Sequence, residues 1–167
     1  PSFIVKNVVV NSYETRAVSI REVNLKNQCD ILGNQLMKEN YLREPDSDVI
    51  NGELSMLSAI YNGRILIINK DAKIIKDTYD IDVGKYALSE EVIQCFEGKS
   101  TANYDDKNAY IEMTSPIPKM DSNTIEGVML VSISTSEIED SIDMLENRGN
   151  LLLSIICILV LVFGYLL

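Results

Sequence analysis

The chain has 167 residues, with 15 Lys and Arg against 25 Asp and Glu, a net charge of −10. That length allows one domain of ordinary size, alone or with appendages. The acidic balance argues against nucleic-acid binding, which needs a basic face; the absence of His excludes His-dependent triads and His-ligated zinc; and Cys29, Cys95 and Cys157 lack the CxxC spacing of thioredoxin-type and cysteine-only zinc sites.

Residues 1–10, PSFIVKNVVV, contain no basic leader before a long apolar stretch, so no signal peptide is visible. Their β-branched run reads as the outer end of a preceding membrane helix or its flank; a frayed terminus is the alternative. Residues 11–42 read as one long amphipathic helix. Val18, Leu25, Cys29, Leu32 and Leu36 recur at spacings of 7, 4, 3 and 4 and form one stripe. Tyr13, Ala17 and Ile20 form an offset stripe. Two stripes imply two partners, a sheet and a second helix such as a dimer mate; one broad buried face is the other reading. Pro45 within EPDSD ends the helix.

A short helix is expected from Gly52 to Asn62, stopped by Asn62-Gly63. RILIIN, Arg64 to Asn69, reads as a buried strand, and Ile74–Thr78 returns beside it as a hairpin. YDIDVGKYAL is a loop. Ser89 is expected to N-cap a helix through Phe96, with Glu90 and Glu91 at its positive end and Gly98 closing it. Strands follow at Ser100–Tyr104 and Ala109–Pro116, then the MDSN turn and a strand at Glu126–Ser134. Thr135 or Ser136 caps a last helix running through Glu146. These short strands lack the crossover helices of a parallel sheet, so the expected class is α+β. Its elements are a long N-terminal helix on a five-stranded antiparallel sheet and a C-terminal helix running into a transmembrane helix.

That transmembrane segment is LLLSIICILVLVFGYLL, Leu151 to Leu167. Counting from Gly149 gives 19 uncharged residues, roughly 28 Å of helix and about one hydrocarbon core. A buried core helix would keep a polar face, and this segment keeps none. It is expected to continue past Leu167. Between Lys119 and Arg148 lie Asp121, Glu126, Glu137, Glu139, Asp140, Asp143 and Glu146 without a basic residue. Cytoplasmic flanks are rich in Lys and Arg, so residues 1–148 are read as extracytoplasmic.

The run GRILIINKDAKIIKDTYDIDVGKYALSEEVIQCFEGKS, Gly63 to Ser100, resembles the extracytoplasmic PAS-like, single-Cache sensor domains of bacterial membrane sensor histidine kinases. The likeness lies in the Asp71–Lys73 turn, the strand ending Asp77-Thr78-Tyr79, Gly84, and the helix closing at Gly98-Lys99. It extends to Ser115-Pro116-Ile117 and Gly127–Val131 and covers about residues 11–150. The Asn-, Ile- and Lys-rich composition looks like that of a low-GC, clostridial-type Gram-positive source. The resemblance implies a sensor domain at 11–134, a signalling helix at 135–150 and a truncated transmembrane helix at 151–167. It also implies further domains: a kinase domain using ATP and Mg²⁺, and a response regulator as cytoplasmic partner. This chain contains no phosphoacceptor His, no P-loop and no G-x-G-x-x-G, so it carries no kinase activity itself. A chemoreceptor, a cyclic-dinucleotide enzyme and a membrane-anchored binding protein are the alternatives.

By the period of two, Tyr110, Glu112 and Thr114 share a strand face, with Tyr104 on the neighbouring strand. Tyr79 and Tyr86 lie in the loop that covers the pocket of such folds. Tyrosines with one carboxylate suit a small polar or cationic molecule; tyrosines capping a half-exposed sheet are the alternative. Arg64 is a candidate for an anionic ligand, or else a surface residue. Asn103, Asp105, Asp106 and Asn108 fit turn chemistry better than a Ca²⁺ loop. Glu139, Asp143 and Glu146 share a helix face that a divalent cation could bridge to lipid, against a default of plain solvation. Signal coupling is assigned to Ser134, Thr135, Ile138, Ile142 and Leu145. Cys29 and Cys95 are expected to be buried thiols.

Overall fold

A computed structural model describes residues 2–120, 122 and 124–166 of the protein. Pro1, Leu167, and Asp121 and Asn123 of the expected MDSN turn lie outside the described residues. The chain divides into two compact units, Arg21–Thr135 and Pro1–Ile20 with Ser136–Leu167.

In the first unit, five strands form one antiparallel sheet: β1 (Gly63–Asn69), β2 (Ile74–Asp77), β3 (Ala102–Asp105), β4 (Tyr110–Pro118) and β5 (Ile125–Ser134), in the order β2-β1-β5-β4-β3. The last strand therefore lies at the centre. Ile65–Val131–Met113 and Ile67–Met129–Ser115 run in register across β1, β5 and β4. Ser115 Oγ donates to Asp30 of the long helix at 3.5 Å, so these rows face that helix. Helix α1 (Ser2–Lys38) brings Leu25, Cys29, Leu32 and Leu36 to this face, all buried as their spacing predicts. Helix α2 (Asp48–Ile60) adds Ile50, Leu54 and Leu57. On the opposite face a smaller core holds Ile68, Ile74, Val128, Val92 and Cys95. Val92 and Cys95 come from helix α3 (Glu90–Phe96). The central strands are thus apolar on both faces because both are covered in part.

Several boundaries differ from the sequence reading. Helix α1 starts at Ser2, nine residues before the expected Asn11, and continues without a break. The β-branched run has low helix propensity, but nothing in it breaks a helix, so propagation carries through. The helix stops before Pro45: Asn40 takes φ 55°, and the Tyr41 N–H reaches back to the Leu36 carbonyl at 3.0 Å, a Schellman closure. Helix α2 starts at Asp48 rather than Gly52 because the Ser47 hydroxyl caps the Ile50 N–H. Ser89 holds the N-cap position of α3, but its side chain makes no capping bond. Gly98 closes α3 at φ 89°, a conformation that suits glycine. Strand β3 begins at Ala102, and β4 runs on to Pro118.

In the second unit, helix α4 (Ser136–Leu166) is continuous, so the expected signalling and membrane helices are one element. Among the described residues it is the one helix long and apolar enough to cross a membrane. Its large apolar side chains from Leu151 to Phe163 are exposed, as a lipid-facing helix requires. Ile138 is buried, Ile142 half-buried and Leu145 exposed. On the N-terminal part of α1, Tyr13 and Ile20 are 41 % and 53 % exposed, so the offset stripe does not belong to one broad buried face within the chain.

Candidate functional site

The sheet face that carries α3 is divided by its rows. Ile68–Val128 and Leu66–Leu130 are apolar and form part of the small core beside α3. The adjacent row is polar: Arg64, Ser132, Glu112 and Asn103 pair in register across β1, β5, β4 and β3. Ser132 Oγ donates to Glu112 Oε2 at 3.3 Å. Beyond it come Ser134, Tyr110 and Asp105, again in register. A recess of about 410 Å³ opens here, lined by Glu112, Tyr110, Asn103, the 105–107 turn, Tyr104 and Glu91. Tyr104 pairs with Ile111, so by alternation it belongs to the other sheet face and only borders the recess.

The turn at the rim is tightly built. Asp105 Oδ1 accepts from the backbone N–H groups of Lys107 and Asn108, both at 3.0 Å, and Oδ2 from Asn108 Nδ2 at 2.8 Å. These bonds, the Asn108 side-chain amide first, hold the Asp105 carboxyl below the usual carboxylate range. This is the turn chemistry that the Asp and Asn content indicates. Ala109 closes the turn at φ 54°, and its carbonyl accepts the N–H of Thr135 at 2.8 Å. Thr135 is fully buried, and its hydroxyl has no hydrogen-bond partner among the described residues.

Arg64, at the β1 end of the polar row, faces two carboxylates of its own chain. Its Nε and Nη2 donate to Asp77 at 3.0 and 2.5 Å, and Nη2 also reaches Asp82 at 2.6 Å. Asp77 is fully buried and also accepts from the N–H groups of Tyr79, Ile81 and Asp82, each at 2.9 Å. Burial pushes the Asp77 carboxyl up, but the hydrogen bonds from Arg64 and those three amides outweigh it and hold it well below the usual range. The Asp77 hydrogen bond raises the Arg64 guanidinium in turn. Lys85, then Arg64, lower Asp82. Tyr79 lies with its ring 5.9 Å from the guanidinium carbon. This cluster fastens the start of the β2–α3 loop to the sheet. An anionic ligand at Arg64 would have to displace Asp77 and Asp82.

The structure thus separates the sequence candidates into three places. Tyr110, Glu112 and, at the border, Tyr104 gather at the recess; Arg64 and Tyr79 belong to the loop cluster. Tyr86 bridges to Lys73, is 66 % exposed and does not line the recess. Sequence reasoning did not assign Asp77 or Asp82 to Arg64; the Asp-rich TYDID run after β2 was the available signal. Among the described residues no three metal-capable side chains come together, Glu139, Asp143 and Glu146 included. Cys29 and Cys95 are free and buried on opposite faces of the sheet. Burial pushes the Cys29 thiol up to about 12.

No family model matches the chain, and no curated protein matches it in sequence. Solved structures do match in shape. The sensor domain of E. coli DcuS aligns with a TM-score of 0.53 at 12 % identity, over 72 % of this chain and 96 % of that one. The sensor domain of the V. cholerae histidine kinase DctB aligns at 0.52 and 14 % identity, over 80 % of this chain and 59 % of that one. The ligand-binding domain of the Campylobacter jejuni chemoreceptor Tlp3, in complex with L-valine, aligns at 0.51 and 14 % identity, over 82 % and 61 %. This chain thus spans about three fifths of the two longer domains. With its 2-1-5-4-3 antiparallel sheet, long leading helix and short covering helix, the chain has the fold of the PAS-like, Cache-type sensor domains of membrane receptors.

Proposed function

We propose that this chain is the extracytoplasmic sensing domain of a membrane sensor histidine kinase together with its following membrane helix. The single observation that carries the reading is topological. The central strand β5, which carries Ser132 of the polar row, ends at Ser134, and α4 begins at Ser136. A change at the recess therefore acts on the strand that leads into the membrane span, and a stimulus shifts output through its differential affinity for two states. The output domain lies past Leu167 and uses ATP and Mg²⁺ to phosphorylate itself, then a response regulator. The solvent-exposed Tyr13–Ile20 stripe is assigned to a homodimer mate. A chemoreceptor is the second reading, favoured by the Tlp3 likeness at a TM-score of 0.51, against 0.53 and 0.52 for DcuS and DctB. Sequence after Leu167 separates the two.

The ligand proposed for the recess is a small organic molecule with a positive charge. Glu91, Asp105, Asp106 and Glu112 line it against Lys107, while Arg64 is already held by Asp77 and Asp82. Tyr110 adds an aromatic edge suited to an ammonium group. The test is a thermal-shift panel of amines, amino acids and dicarboxylates on the full chain. An amine or amino acid should raise the midpoint, and Glu112→Gln should weaken that compound at least about tenfold, as expected for loss of a charged hydrogen bond. Stabilisation by dicarboxylates alone, or an unchanged response in E112Q, would overturn the assignment.

A further inference from the structure

We infer that the β3–β4 turn, residues 105–109, is the joint through which the recess acts on α4, with the Ala109 carbonyl and the Thr135 amide as its contact point. The inference rests on the recess being the sensing site. Three observations converge on this turn. Asp105, Asp106 and Lys107 form one wall of the recess, so anything bound there touches the turn. The turn closes at Ala109 with φ 54°, a region that side-chain-bearing residues rarely adopt. Its backbone direction is therefore set by the bonds that Asp105 makes to Lys107 and Asn108, rather than by local preference. Finally, the carbonyl that this conformation aims receives the N–H of Thr135, the residue between β5 and α4.

Thr135 is well placed to pass on a displacement. It is fully buried, and its hydroxyl has no partner among the described residues, so on the sheet side its backbone bond to Ala109 and its packing fix its position. The neighbouring pair Tyr110–Ser134 couples the same two strands, and Tyr110 itself lines the recess. Tightening or loosening the turn must therefore change the strength or direction of the Ala109–Thr135 bond. No residue intervenes between Thr135 and the first turn of α4. The ion-paired loop cluster at Arg64 sits on β1, on the other side of β5, where the nearest comparable bond runs from the Ser134 N–H to the Asn62 carbonyl at 3.3 Å, one residue short of Thr135.

The test needs no ligand. Amide hydrogen exchange is read residue by residue on the full chain in lipid nanodiscs, for the unaltered protein and for Asp105→Ala. Asp105 makes no contact with Thr135 in the hydrogen-bond network above, yet the Thr135 amide should exchange at least about threefold faster in D105A, because loosening the turn weakens its acceptor. Amides of β1 and β2 serve as the reference and should not change. Faster exchange at Lys107 and Asn108 with an unchanged Thr135 would overturn the inference. If D105A speeds exchange across the whole sheet, Asn108→Ala, which removes only the 2.8 Å side-chain bond, is read against the same two outcomes. Coupling is reciprocal, so Thr135→Pro, which deletes the N–H, should speed exchange at Lys107. A failed ligand search would leave these outcomes standing. Their failure would leave the recess a binding place without this route.

Discussion

Replacing Asp77 should be among the most damaging single changes in the sensor domain. The carboxylate is fully buried and accepts from Arg64 twice and from three backbone amides. Asp77→Ala leaves those amides and the guanidinium without their acceptor. Breaking one side of a buried pair costs about 3–5 kcal/mol. The shared hydrogen bonds do not add to that independently, so the expected loss is about 4 kcal/mol. Against a typical domain stability of about 5–15 kcal/mol, that brings the fold close to its limit. Asp77→Asn keeps the shape and loses the charge, at about 2–3 kcal/mol.

The sign of the pH dependence follows from the lowered carboxyl. A group whose folded pKa lies below its unfolded value contributes fully above the unfolded pKa and loses that contribution as pH falls towards the folded one. With an unfolded pKa of about 3.9 and the folded group still ionised at pH 2.5, the loss is RT ln(1 + 10^1.4), about 1.9 kcal/mol. Asp82 and Asp105 are lowered in the same direction and remain in every variant, so the useful quantity is a difference. The gap between the unaltered chain and D77N should narrow by about 1.9 kcal/mol from pH 6 to pH 2.5. The chain has 8 Tyr and no Trp, so tyrosine near-UV dichroism during urea unfolding in detergent micelles reports the packed state. A D77A variant within about 1 kcal/mol of the unaltered chain, or a gap that does not narrow on acidification, would refute the reasoning.

Other changes probe the two cores. A Cβ on Gly63 would lie 2.5 Å from the Ser132 carbonyl oxygen and 2.9 Å from the Ile133 Cα, both backbone atoms of the central strand. Gly63→Ala should therefore cost about 2 kcal/mol or more by overpacking in the same unfolding assay; a neutral result would contradict the register. Cys29 and Cys95 are buried, and burial raises both thiols. At pH 8 iodoacetamide should label neither in the native chain and both in denaturant, as read by peptide mass; native labelling of either would contradict its placement.

The architecture was largely legible because the strands are short apolar runs between strong turn signals and the Leu25–Leu36 stripe has one period. Long-range pairing was not. Tyr104 sits in the expected strand, but its partner Ile111 turns it from the face shared by Tyr110 and Glu112, and a register cannot be read from one strand. Arg64 looked free because its partners lie 13 and 18 residues away, beyond any local periodicity. In sequence the long helix reads from Asn11, with residues 1–10 as the outer end of a preceding membrane helix or its flank; α1 runs through both because β-branched residues lower helix propensity without breaking a helix. The link from Ala109 to Thr135 spans 26 residues and leaves no trace in sequence pattern.

The most direct test of the account is amide exchange on the full chain in nanodiscs with and without the compound that best stabilises it. Protection should change at residues 105–110 and at Thr135, while the β1–β2 turn at residues 70–73 stays as it was. A response confined to the β1–β2 turn or the 78–88 loop, with residues 105–110 and 135 unaffected, would contradict it.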